Sequence, residues 1–174
     1  MAEKGQETVA VAGSSVSERR DGWRDQPLSG RPGFLMRRLH QIHVALFFEE
    51  CAGRRLTPVQ YSVLTALEQT GECDQATLAR TVGIDRTNMA DVLSRLAQRK
   101  LIARRAHSSD KRMRLARLTG AGCEILAELA DAASRAHERT VAALPPQERR
   151  DFIEAMVRLV EANNHVGRAP LRLG

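Results

Sequence analysis

The apolar positions of this chain fall into helical stripes, interrupted once by strand-like alternation. Leu35, Leu39, Ile42 and Leu46 recur every three or four residues, which predicts a helix entered at Ser29-Gly-Arg-Pro32 and ending near Gly53. Thr57-Pro58 starts a second helix, with Thr as N-cap and Pro at the first helical position. That helix carries Tyr61, Leu64 and Leu67 and stops around Gly71. Asp74 caps a short third helix bearing Leu78, Ala79 and Val82, which Gly83 closes. Asp85 caps a fourth, with Met89, Val92, Leu93 and Leu96 on one face. After Lys100 the period changes. Leu101 to Ala106 and Met113 to Leu118 read as two short strands flanking the polar tip His107 to Arg112. Thr119 caps a long fifth helix through about Leu144, with Gly120 and Gly122 weakening its first turn. Pro145-Pro146 breaks the chain and starts a last helix with Phe152, Ile153, Met156, Leu159 and Val160 on one side. Residues 1–30 read as a flexible arm and 165–174 as a flexible basic tail.

Helix, short helix, Gly turn, helix and hairpin, in that order, make a winged helix-turn-helix, mainly α with a small β-hairpin wing. The fourth helix is then the recognition helix. With its apolar stripe turned inward, Arg86, Thr87, Asn88, Asp91 and Arg95 face outward, together with Arg99. Arg86, Thr87 and Asn88, at its N-terminal end, are placed to read bases: Arg suits guanine, Asn suits adenine, and Thr can do either or touch a thymine methyl.

Charge sharpens this picture. The formal net charge of the 174 residues is +6. Residues 80–119 hold eleven Arg and Lys against three Asp, a net +8, so the excess sits on the proposed DNA face. Aromatic residues make up only 3%, which favours helices over a β-sandwich. Cys51, Cys73 and Cys123 are odd in number and widely spaced, so neither a disulfide framework nor a zinc site is indicated, and a cytoplasmic protein is expected. The N-terminus has no signal-peptide pattern, and no apolar run is long enough for a membrane helix. Gly-rich phosphate loops, nucleophile elbows and metal-ligand pairs are also missing, so the reading is not an enzyme, with no catalytic residue, metal or cofactor.

Three segments resemble the multiple-antibiotic-resistance regulators, the MarR family: Leu56-Thr-Pro-Val-Gln-Tyr-Ser-Val-Leu64, Gln75 to Leu101, and Ser109-Asp-Lys-Arg-Met-Arg-Leu-Ala-Arg-Leu-Thr119. The resemblance spans about Pro32 to Asn164. It implies that Arg112 enters the DNA minor groove, oriented by Asp110 and beside Lys111; a narrow minor groove concentrates negative potential that attracts Arg. It also implies an intertwined homodimer on a pseudo-palindrome of double-stranded DNA. The division is then 31–55 for an N-terminal dimerisation helix, 56–119 for the DNA-binding domain and 120–164 for C-terminal dimerisation helices. Family members bind small molecules, often aromatic acids or their coenzyme A thioesters, between the dimer helices and the reading domain. Met36, His40, His43 and Phe47 lie along one stripe of the first helix, with Arg37 and Arg38 near and Tyr61 on the second helix. Apolar walls with imidazole donors suit a planar ligand carrying a carboxylate or phenol. The expected function is a repressor released by such a ligand. The rivals are redox sensing through Cys51 or Cys73 and an effector-independent DNA-binding protein.

Overall fold

The computed structural model describes residues 22–110 and 112–167. The chain divides into two compact units, one through Met36 and one from Arg37. In the first, residues 23–26 form turns and Leu28–Gly30 a single 3-10 turn. Arg31 stitches them together, donating from Nε to Gln26 O and from its guanidinium to Arg24 O, each at 3.0 Å. Residues 22–30 of the expected arm thus take up local turns; residues 1–21 and 168–174 of the expected arm and tail lie outside the described residues. Residues 165 and 166 of the expected tail belong to a 3-10 turn, Asn164–Val166.

Among the described residues six helices and two hairpin strands follow the predicted order, with one further short strand, β1, before the third helix: α1 (Pro32–Glu50), α2 (Pro58–Thr70), β1 (Cys73–Asp74), α3 (Gln75–Val82), α4 (Arg86–Gln98), β2 (Ile102–Ala106), β3 (Arg114–Leu118), α5 (Gly120–Thr140) and α6 (Pro146–Asn163). The caps are those the sequence predicts. Thr57 and Gln60 form a reciprocal capping box at α2, with bonds of 3.1 and 3.2 Å. Asp74, Asp85 and Thr119 cap α3, α4 and α5, and Gly83 closes α3 in the left-handed conformation at φ 73°. Two boundaries differ. α1 stops at Glu50, and α5 stops at Thr140, where irregular turns through residue 144 replace the expected last turn. Two β-branched residues, Thr140 and Val141, sit at the second stop, and the Thr140 hydroxyl bonds back to Ala136 O at 2.7 Å.

The hairpin is part of a three-stranded antiparallel sheet of order β1-β3-β2. Cys73 pairs with Ala116, and Ile102 through Ala106 pair with Leu118 through Arg114. β1 is two residues long, too short to register as a period-two pattern. The core gathers Val63, Leu64 and Leu67 of α2, Leu78 of α3, Met89, Leu93 and Leu96 of α4, Ile102 and Ala116 of the sheet, and the Leu126, Leu129, Ala133 and Ala136 face of α5. α1 adds Phe47, buried against Tyr61 with ring centroids 5.6 Å apart. No residue of α6 is fully buried: Phe152 is half-buried, and Ile153, Met156, Val157, Leu159 and Val160 are exposed, as are Ile42 and Phe48 on α1. No helix of the described residues is long and apolar enough to cross a membrane.

Candidate DNA interface and effector site

The reading end of α4 is built by its N-cap. Asp85 Oδ1 accepts the backbone N–H groups of Thr87 (3.0 Å) and Asn88 (2.9 Å), and its Oδ2 takes a side-chain N–H of Asn88. The cap thus sets the Asn88 amide plane while leaving its carbonyl oxygen and second N–H for a base edge. Gln75, at the start of α3, donates to Arg86 O at 3.0 Å and ties the first helix of the motif to the second. Asp74 supports that geometry: burial raises its pKa, but bonds from the Thr77 hydroxyl (2.7 Å) and the Thr77 and Ala76 N–H groups outweigh it and lower it. Arg86, Thr87, Asn88, Asp91 and Arg95 are all exposed.

At the wing, Asp110 Oδ1 accepts the backbone N–H of Arg112 at 2.9 Å, and Asp110 O accepts that of Met113 at 3.0 Å. The carboxylate thus acts on Arg112 through the main chain of the turn. The Arg112 side chain is exposed. Lys111 lies outside the described residues. Not every basic residue of the segment faces a ligand, a distinction the charge count could not make. Arg105 donates from Nε to Glu72 Oε1 at 2.8 Å and pairs with its other oxygen, bracing the wing against the loop before β1; this pairing holds the Glu72 carboxyl below its usual range. Arg99 is exposed, as expected, and its guanidinium donates to Arg54 O and Arg55 O, each at 2.8 Å.

The structure brings part of the expected effector set together. His43, Phe47 and Tyr61 cluster where α1 meets α2 and α5: His43 stacks on His137 with centroids 4.8 Å apart, and Phe47 meets Tyr61. Met36, Arg37, Arg38 and His40 are exposed on α1. Phe47, only 1% exposed, is a core residue and no open wall. His43 changes its chemical part. The Thr140 hydroxyl spends its one proton on Ala136 O, so in its 2.9 Å contact with His43 Nδ1 it must accept. His43 therefore carries its proton on Nδ1. Burial first, then the neighbouring His137 and His40, lower its pKa, so the ring is neutral at pH 7. The atom left over is the Nε2 lone pair, an acceptor where a donor was expected. His137 and Thr140 had no signal in sequence, because they sit on α5 and reach His43 only through the packing of α1 on α5. The same contact carries an ion-pair network: Arg135 and Arg139 bond Glu50 at 2.8 Å, and Arg139 bonds Glu49 at 2.9 Å.

Cys51 and Cys73 offer little to a redox trigger. Burial, then Glu50, raises the Cys51 thiol, and burial raises that of Cys73; a thiol pushed up is a poorer nucleophile at neutral pH.

Comparison with known proteins fits this geometry. Residues 56–113 match the model of the MarR family. The transcriptional repressor NicR of Pseudomonas putida is 25% identical over 135 residues, 78% of this chain and 85% of NicR. The PcaV transcriptional regulator of Streptomyces coelicolor, solved in complex with its natural ligand, is 34% identical with a TM-score of 0.72, covering 79% of this chain and 96% of PcaV. BpsR of Bordetella bronchiseptica, whose DNA binding is regulated by 6-hydroxynicotinic acid, is 31% identical with a TM-score of 0.69, covering 73% and 96%.

Proposed function

The chain belongs to the MarR family of transcriptional regulators, and we propose that it is a dimeric repressor that leaves a pseudo-palindromic operator when a small aromatic acid, or its coenzyme A thioester, binds. The observation that carries the DNA half is the pre-set reading end of α4, where one carboxylate caps the helix and orients Asn88 beside exposed Arg86 and Thr87. In this reading Arg86, Thr87 and Asn88 meet base edges, Asp91 and Arg95 lie along the groove, and Arg112, Asp110 and Lys111 form the minor-groove wing.

The dimer is supported by the bare apolar faces of α6 and α1, which a monomer would leave in water. Residues 31–55 and 120–164 would then form the dimer body and 56–119 the reading head. The effector class is supported by BpsR, whose DNA binding is regulated by a hydroxylated aromatic acid, and the existence of a ligand by PcaV, solved with its natural ligand. His43 Nε2, as an acceptor, suits a ligand hydroxyl, while Tyr61 and the cations Arg37 and Arg38 suit its carboxylate. A ligand that prefers a dimer with misaligned heads lowers operator affinity by its differential affinity alone.

The test is to select a binding site from random duplexes, then titrate the complex with hydroxylated aromatic acids and their thioesters while following DNA release by fluorescence anisotropy. Release by at least one of these, with no release by peroxide, is expected. Release by peroxide alone, lost on substitution of Cys51 or Cys73, would replace the ligand reading with a redox one.

A further inference from the structure

A cleft of about 460 Å³ opens at the end of α4 opposite the base readers, lined by Gly53, Arg54, Arg55, Arg99 and Ile125. Arg99 is the C-cap of a 13-residue helix, which puts the cleft about 19 Å along the axis from Arg86. Three arginines line this opening, an arrangement that repulsion opposes unless each charge is balanced. Arg54 is balanced by Glu128. Arg99 is gripped only by two neutral carbonyl oxygens, which fix the plane of the group and leave its charge in place, with its other N–H groups unspent. Arg55 has no carboxylate partner among the described residues.

The backbone beneath these side chains is held in an uncommon shape. Arg55 has φ of 49°, in the left-handed region, and Gly53 has 88°. Left-handed conformations at residues with a Cβ persist only where the surroundings enforce them, and they concentrate at functional sites. Ile125, half-buried on the first turns of α5, supplies an apolar wall.

We infer that this cleft binds a small, multiply charged oxyanion, a molecule bearing phosphate or clustered carboxylates, through Arg55 and the free edge of Arg99. None of its lining residues belongs to the effector set, so the inference does not rest on the effector reading. The same oxyanion chemistry occurs in the DNA backbone, but the position at the far end of the recognition helix favours a free molecule. Its occupant would bridge the loop into α2, the end of α4 and the start of α5, and so tie the reading helix to the rest of the fold.

The probe is inorganic pyrophosphate, titrated calorimetrically into the full chain at neutral pH and fixed ionic strength. One site per chain is expected, weakened about tenfold or more in Arg55→Gln, with Arg86→Gln unaffected. Arg55→Gln should melt like wild type without ligand, since Arg55 holds no other group; Arg99→Gln is the second variant and weakens binding too. Absence of binding beyond that of chloride overturns the inference, as does binding that Arg86→Gln abolishes and Arg55→Gln spares. A uniform loss of duplex affinity in Arg55→Gln, with the salt slope reduced by about 1, would make the cleft a DNA-backbone contact instead and likewise overturn it.

Discussion

Substituting Gly122 by Ala separates a packing requirement from a helix propensity. By propensity alone the change should help by about 1 kcal/mol, since Gly is a poor residue inside a helix. The surroundings reverse the sign. A Cβ on Gly122 would lie 2.2 Å from the carbonyl oxygen of Leu101, 3.2 Å from its carbon and 3.1 Å from a methyl of Leu118. A carbon and a carbonyl oxygen come no closer than about 3.3 Å, so α5 and the foot of the wing must part by about 1 Å. Leu101 cannot retreat alone. Its carbonyl accepts the N–H of Thr119 at 3.1 Å, its own N–H goes to Leu96 O at 3.0 Å, and the Thr119 hydroxyl holds Lys100 O at 2.7 Å. Overpacking of this kind costs about 1–3 kcal/mol, more where the obstacle is backbone. Because the obstacle is backbone, the upper end of that range, about 3 kcal/mol, applies; net of the propensity gain the loss is about 2 kcal/mol, or about 4–8 °C in Tm for a chain of this size. Gly120→Ala is the control. Its Cβ meets nothing within 4 Å, so that variant should melt at or slightly above wild type. Thermal unfolding by circular dichroism at one fixed protein concentration measures both, because an associating protein's Tm depends on concentration. Equal Tm for Gly122→Ala and wild type would refute the argument that α5 and the wing are packed at backbone contact.

Further outcomes follow from the same geometry. Arg86→Ala or Asn88→Ala should cost about 1–3 kcal/mol at the selected operator and relax specificity there, with little effect on random duplex; equal losses on both would exclude base reading. Arg112→Ala should weaken operator binding strongly and Asp110→Ala less, since Asp110 holds only the turn; wild-type affinity in Arg112→Ala at physiological salt would dismiss the wing contact. Ending the chain before Pro145 removes the bare face of α6 and should abolish dimer and specific binding together, read by sedimentation and anisotropy. For His43 the folded pKa lies below the unfolded one, so the neutral ring stabilises the fold above about pH 6.5 and that contribution is lost as pH falls through the folded pKa. His43→Asn, which can still donate to Thr140, should therefore show a smaller fall in Tm between about pH 7 and pH 5; identical profiles would mean that His43 is not the titrating group.

Local rules make much of this protein legible in its sequence. Caps, glycine exits and apolar spacing depend on residues within a few positions of one another, so Thr57, Asp74, Gly83, Asp85 and Thr119 mark element ends in the sequence itself. The winged helix-turn-helix order and the outward face of α4 follow from those marks. What required the tertiary structure is every feature made by partners far apart in the chain. Charge is counted along a sequence but balanced in space: Arg99 and Arg105 belonged to the basic run by composition, and only packing turned one onto the Arg54 and Arg55 carbonyls and the other onto Glu72. β1 is too short to carry a period, and pairing with β3 alone defines it. His43 showed its residue type in sequence, but its tautomer and free acceptor were decided by Thr140, ninety-seven residues away. Gly122 read as a weak point in a helix, and the Leu101 carbonyl made it a requirement. A hydrogen bond or a steric contact acts over a few ångströms whatever the separation along the chain, so these roles exist only once the fold has brought the partners together.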